Sequence, residues 1–163
     1  MNNIYFKEEH LLLQKMIREF SNKELKPIAQ TIDKDSVFPK ESIKKLSELG
    51  LMGIPWPSKY GGSGMDYISL TIVIEEIAKV CVSTAVTLMA HTSLGSGPFY
   101  LFGNEEQKNK YLSKLSTGEI IGSFALTEPN AGSDAGNTQT IAALKNDKFI
   151  VNGQKVFCTN AGY

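Results

Sequence analysis

The chain has 163 residues, enough to bury a sizeable core as one domain or parts of two, and its 42% hydrophobic and 21% charged content is that of a globular protein. Lys+Arg and Asp+Glu both number 17, so the net charge is zero. That balance argues against a nucleic-acid binder, which needs a clustered basic surface, and against a polybasic membrane anchor.

The first ten residues contain no basic stretch followed by an apolar run, and Glu8 and Glu9 oppose a mitochondrial transit peptide. No apolar run reaches the length of a membrane span. The two cysteines, Cys81 and Cys158, lie far apart without metal-type spacing, so no metal site is expected. Both read as reduced, Cys81 as helix core and Cys158 as strand filler, and a cytoplasmic home follows.

From about Lys7 to Asp33 the spacing predicts a helix, with Leu13, Met16, Ile17 and Phe20 forming its inward stripe. Pro27 should kink or break it, since proline lacks an N–H and crowds the preceding turn. A second helix opens near Pro39, runs through Ile43, Leu46 and Leu49, and meets a left-handed cap at Gly50. Residues 51–64 are a Pro- and Gly-rich connector. Its Gly-Gly-Ser-Gly lacks the lysine and hydroxyl of a phosphate loop and reads as a turn.

A third helix is expected over 69–82, mostly buried through Leu70, Val73, Ile74, Ile77, Ala78 and Cys81. Glu75 and Glu76 invite an acid–base reading, but adjacent helical residues diverge by about 100°, so a structural ion pair or solvated edge is expected. Ser83 or Thr84 can cap a fourth helix that runs to Phe102 and stops at Gly103. Its glycines, Gly95 and Gly97, imply close packing or room for a ligand. His91 reads as a hydrogen-bonded packing residue. Asn104 and Gln107 form a reciprocal cap for a fifth helix with Tyr111, Leu112 and Leu115 facing inward, ended by Gly118.

From Ile120 the period changes to two, with strands expected over 120–127, 137–145, 148–152 and 154–160 and a tight turn at Lys145-Asn146-Asp147. Pro129 ends the first strand, and Asn130, Gly132 and Ser133 supply turn chemistry. Gly132 lets a backbone approach a ligand. Thr127, Ser133 and the loop N–H groups can donate hydrogen bonds, and Asp134 brings acceptors. On the last strand Lys155, Phe157 and Thr159 would share one face, with Val156 and Cys158 opposite. A ring beside a hydroxyl suits a flat, polar-edged ligand; an ordinary strand–turn–strand is the plain alternative.

The segment Leu126-Thr-Glu-Pro-Asn-Ala-Gly-Ser-Asp134, followed by Asn152-Gly-Gln-Lys155 and Thr159-Asn160, resembles the acyl-CoA dehydrogenases. The resemblance extends in order through Pro57-Ser-Lys-Tyr-Gly-Gly-Ser-Gly64, Glu75-Glu-Ile-Ala78, His91-Thr-Ser-Leu-Gly-Ser-Gly-Pro98 and Phe102-Gly-Asn-Glu-Glu-Gln-Lys108. It implies an α+β fold: an N-terminal all-α helical domain (1–119), followed by the first strands of a β-barrel-like middle domain (120–163) that remains incomplete. A fragment is expected, because strands ending at Tyr163 would leave open edges.

The same resemblance implies FAD as cofactor and α,β-dehydrogenation of an acyl-CoA. Phe124, Ala125, Leu126, Thr127, Gly132 and Ser133 correspond to the first flavin-binding segment, and Phe157, Cys158 and Thr159 to the second. Thr127 would bond the ring's polar edge, Thr159 would sit near its reactive nitrogen, and Ser133 would lie where flavin and CoA meet. Phe157 stands where many relatives have tryptophan, and Phe124 where many have tyrosine, so stacking surface is kept and a polar donor lost.

The matching fourth helix closes the acyl pocket in the family. Ser96, Phe99 and Ser133 are therefore expected at the substrate, and the bulk of Phe99 and Tyr100 favours a short, butyryl-CoA-like chain. The family's base is a glutamate of a C-terminal helical domain that none of these glutamates matches, so no catalytic residue is assigned and the piece alone is expected to be inactive. An electron-transferring flavoprotein as acceptor and a homotetramer are implied by resemblance only. The alternatives are an acyl-CoA oxidase or flavin monooxygenase of the same fold, or a catalytically silent assembly module.

Overall fold

The computed structural model describes residues 5–163; part of the N-terminal stretch read as lacking a leader, residues 1–4, lies outside them. The first helix, α1 (Glu8–Phe20), carries two glutamates in its first turn, where negative charge complements the helix dipole. His10, Leu13 and Ile17 are its buried residues, and Met16, expected inside, is exposed. His10 takes the inward place because its ring is satisfied at both nitrogens. Its Nδ1 accepts from the Lys7 N–H (3.2 Å), and its Nε2 meets Asp66 at 3.0 Å.

Of the kink or break expected at Pro27, the break does not occur, and the helix is instead distorted just before the proline. A π-helical stretch, Ser21–Leu25, passes directly into α2 (Lys26–Lys34), with Pro27 in the first turn of α2. The wider π turn absorbs the missing N–H and the crowded carbonyl of the turn before proline. Next, α3 (Lys40–Glu48) follows Pro39 and ends at Gly50, whose φ of 70° is the left-handed cap expected there.

The third expected helix, α4 (Tyr67–Ala78), is capped by the Asp66 carboxylate accepting from the Ser69 N–H, and it lies between α1 and α5 (Val82–Met89). It stops before Cys81, which is extended and buried and occupies the cap position of α5 in place of Ser83 or Thr84. The Cys81 thiol meets the Thr84 hydroxyl at 3.1 Å. Glu76 is buried and accepts both Arg18 guanidinium bonds (3.0 Å each) and the Lys79 ammonium (2.8 Å). Its carboxyl is held down to about 2, first by the Arg18 hydrogen bond, so it is the ion pair that ties α1 to α4.

Ile17, Leu25, Leu46, Val73, Ile77 and Leu88 are fully buried in the main core. Each such side chain contributes on the order of 1.5–3 kcal/mol of burial. No helix among the described residues is long and apolar enough to cross a membrane.

Beyond α5, a π-helical stretch Ala90–Ser96 leads into α6 (Gly97–Phe102). The predicted reciprocal cap at Asn104 and Gln107 is present, opening α7 (Glu105–Gln107). That turn continues through the π-helical Lys108–Leu112 into α8 (Ser113–Thr117), which closes at Gly118 with φ 74°. Leu112 and Leu115 face inward, while Tyr111 remains partly exposed. A smaller core holds Trp56, Tyr60 and Leu112, with Phe99 and Tyr100 packed on it.

Among the described residues, only β1 (Ile141–Lys145) and β2 (Lys148–Asn152) form a ladder, antiparallel with Ala143 opposite Ile150. Asn146 and Asp147 both have positive φ, the two-residue turn that matches strand twist. The segment expected as a strand over 120–127 joins no ladder, 154–160 is interrupted by left-handed Phe157 and a turn at Thr159-Asn160, and the expected 137–145 strand is confined to β1. Alternation specifies which face each residue shows, but a strand exists only where a second backbone satisfies its N–H and C=O groups.

Candidate functional site

The two extended segments meet each other. The Val156 N–H donates to the Thr127 carbonyl at 2.8 Å, and the Lys155 ammonium donates to the Leu126 carbonyl at 3.0 Å. Lys155 also reaches the Glu128 carboxylate at 2.7 Å. Glu128 is buried, and it accepts the main-chain N–H groups of Gln139 (2.6 Å) and Thr140 (3.1 Å). The Lys155 ammonium, reinforced by those N–H groups, holds the Glu128 carboxyl down to about 2. One ionised side chain thus gathers three stretches of backbone that are distant in sequence.

Pro129 ends the extended run as expected, and a tight bridge between Glu128 and Ala131 reverses the chain there. Around this frame the residues assigned to the flavin lie outward. Phe124, Ala125, Leu126, Gly132, Ser133 and Thr159 are exposed, and Thr127 and Cys158 are half-buried. Phe157 is 91% exposed, on a backbone with φ 56°. That left-handed residue interrupts the alternation expected for 154–160, so Lys155, Phe157 and Thr159 do not form one regular strand face.

The hydroxyls of Thr127, Ser133 and Thr159 have no hydrogen-bond partner among the described residues. Hydroxyls without a protein partner and an uncovered aromatic ring are the kinds of group that a flat molecule with polar edges takes up, and they fit a flavin ring. A Cβ at Gly132 would meet nothing within 4 Å, so that turn is open to a close approach.

The expected substrate residues divide. Ser133 stands with the loop. The Ser96 hydroxyl is buried, accepts from the Trp56 indole (3.1 Å) and faces the carbonyls of His91 and Thr92 (2.9 and 3.0 Å), so its hydrogen is used inside the fold. Phe99 packs on the smaller core, its ring 5.3 Å from that of Tyr111.

His91 is buried and performs the packing role expected of it. Its Nε2 donates to the Leu115 carbonyl (3.0 Å), which leaves Nδ1 to accept from the Gly122 N–H (2.9 Å). Burial pushes its pKa down to about 4, so the ring is neutral. Gly95 serves close packing, because a Cβ there would sit 2.6 Å from Gly122 Cα.

Sequence reading gave no role to Glu128, Asn160 or Gly122, and it placed Lys155 on a strand face without its partner Glu128. Glu128, Lys155 and Asn160 sit inside the quoted motifs, but the pairing of Glu128 with a lysine 27 residues on has no local signal.

The helical bundle thus carries two apposed segments with exposed aromatic and hydroxyl side chains. Residues 7–119 match the family model "Acyl-CoA dehydrogenase, N-terminal domain" and residues 123–163 match "Acyl-CoA dehydrogenase, middle domain". The chain belongs to the acyl-CoA dehydrogenase family.

It is 50% identical over 154 residues to the short-chain-specific acyl-CoA dehydrogenase of Clostridium acetobutylicum, covering 94% of this chain and 41% of that protein. Butyryl-CoA dehydrogenase from Megasphaera elsdenii superposes with a TM-score of 0.92 at 38% identity, covering 98% of this chain and 43% of that one. The Bacillus anthracis acyl-CoA dehydrogenase complexed with FAD gives 0.92 at 36% identity, covering 100% of this chain and 28% of that one. The chain therefore spans about two fifths of the length of the curated relatives it matches.

Proposed function

We propose that this chain supplies the flavin-binding wall and part of the acyl pocket of an FAD-dependent acyl-CoA dehydrogenase acting on a short-chain acyl-CoA. In this reading, residues 1–119 form the helical domain and 120–163 the beginning of the middle domain. The observation that carries it is the Val156 N–H bond to the Thr127 carbonyl at 2.8 Å, which apposes the two segments assigned to the cofactor. The FAD-bound relative and the short-chain and butyryl-CoA relatives support the choice of cofactor and substrate.

Thr127 would hold the ring's polar edge, Thr159 would sit near its reactive nitrogen, Phe157 would cover one face, and Phe124, Ala125, Leu126, Gly132 and Cys158 would shape the wall. Ser133 would serve both cofactor and substrate. Bound there, FAD would supply the acceptor for the hydride leaving the β carbon. The residues of this chain bind and orient. The glutamate that removes the α proton is assigned by resemblance to a C-terminal helical domain and is not among these 163 residues. An electron-transferring flavoprotein as acceptor, a homotetramer and a cytoplasmic setting complete the reading.

The test is the flavin absorption band of the full-length parent that carries this chain, followed on anaerobic addition of butyryl-CoA. Bleaching is expected, with faster turnover on butyryl than on octanoyl thioester. A protein that FAD cannot reconstitute sinks the cofactor assignment, and best turnover with octanoyl or longer chains sinks the short-chain one.

A further inference from the structure

Two backbone groups of Gly122 and one side chain at the far end of the chain form a junction that the flavin ledge itself does not use. The Gly122 N–H is held by His91 Nδ1 at 2.9 Å. The Gly122 carbonyl accepts from Asn160 Nδ2 at 3.1 Å, and the same amide group donates to the Thr87 carbonyl at 3.1 Å. Thr87 and His91 are four residues apart, on one face where α5 passes into the π-helical stretch.

All four residues are buried. Gly122 cannot retreat, because Gly95 presses on it from the helical side. Asn160 sits at φ 70°, a left-handed conformation that asparagine tolerates better than most residues. Its amide has one workable orientation. Both partners are carbonyls, so the NH2 end must face them.

The position of this junction gives it a consequence. Gly122 lies two residues before Phe124, where the first flavin segment begins, and Asn160 directly follows Thr159, where the second ends. We propose that Asn160 is a positioning residue for the cofactor site. Through the Gly122 carbonyl it fixes the start of one segment against the end of the other, and through Thr87 it registers both on α5. This rests on the flavin reading above for its consequence, but the coupling of the two segments stands on geometry alone.

The test is Asn160→Asp, which keeps the shape, removes the donor and turns an oxygen toward two carbonyls. In the full-length parent, FAD affinity is measured by quenching of flavin fluorescence, and amide hydrogen exchange is followed at Gly122, Val156 and, as a reference in α4, Val73. Asn160→Asp should weaken FAD binding tenfold or more. Exchange at Gly122 and Val156 should speed up at least tenfold, with Val73 unchanged. Val156 is informative because Asn160 does not touch it; its amide reports whether the two segments remain apposed.

FAD affinity within twofold of the unsubstituted protein, with unaltered exchange at Val156, overturns the proposal. If the unsubstituted full-length parent binds no FAD, the flavin reading fails, and the exchange measurement alone decides whether Asn160 couples the segments. Should the Asp variant not fold, Asn160→Ser, which retains one donor, is measured in the same way. A smaller acceleration at Val156 upholds the coupling, and none overturns it.

Discussion

Gly95→Ala is the sharpest test of how the helical region meets the ledge. Two opposing terms act. Replacing glycine in a helical turn by alanine normally stabilises by about 0.5–1 kcal/mol, because the unfolded chain loses freedom. Here the new Cβ would stand 2.6 Å from Gly122 Cα and 2.7 Å from its carbonyl carbon, both backbone atoms. Overpacking of this kind costs roughly 1–3 kcal/mol.

The upper part of that range applies, because Gly122 is held on its other sides by His91 and Asn160 and has nowhere to move. The net loss is then about 1–2 kcal/mol, which for a chain of this size lowers the melting temperature by roughly 2–8 °C. Scanning calorimetry with urea unfolding measures it. Ser93→Ala, on the exposed side of the same stretch, is the comparison and should stay within about 0.5 kcal/mol of the parent. A Gly95→Ala protein as stable as the parent, or more so, would refute the close backbone crossing.

Two further outcomes follow from the buried titratable groups. His91 has its pKa lowered from 6.5 to about 4, so its contribution is present above pH 6.5 and is lost as pH falls toward 4. The loss amounts to about 3 kcal/mol. His91→Gln should flatten urea-measured stability across that window, and an unchanged slope would show that another group titrates there. Lys155→Met removes the cation that most lowers the Glu128 pKa. In the parent, the stabilisation from ionised Glu128 is complete above pH 4.5 and fades as pH falls through about 2. In the variant the fade should begin at higher pH, read from the carboxyl carbon shift of Glu128; an unmoved titration refutes the pairing.

Much of this protein could be read before any coordinates. The left-handed caps at Gly50 and Gly118, the reciprocal cap at Asn104 and Gln107, and the turn at Asn146-Asp147 depend on neighbours within a few residues, so local chemistry determines them. The motif residues that carry the family resemblance were legible for the same reason, being contiguous.

What only the tertiary structure decided was long-range. Met16 yields its inward place to His10 because Asp66, on another helix, satisfies the imidazole. Pro27 does not break its helix because a π turn accommodates it, and Cys81 occupies the cap position of α5, without a side-chain capping bond, where a hydroxyl residue was expected. The segments around Thr127 and Val156 are extended without becoming strands, since pairing needs a second backbone that periodicity cannot supply. Glu128, Lys155, Gly122 and Asn160 organise the ledge through bonds between residues far apart in the chain. Folding alone brings such groups within hydrogen-bond distance, and no window of neighbouring residues contains both partners.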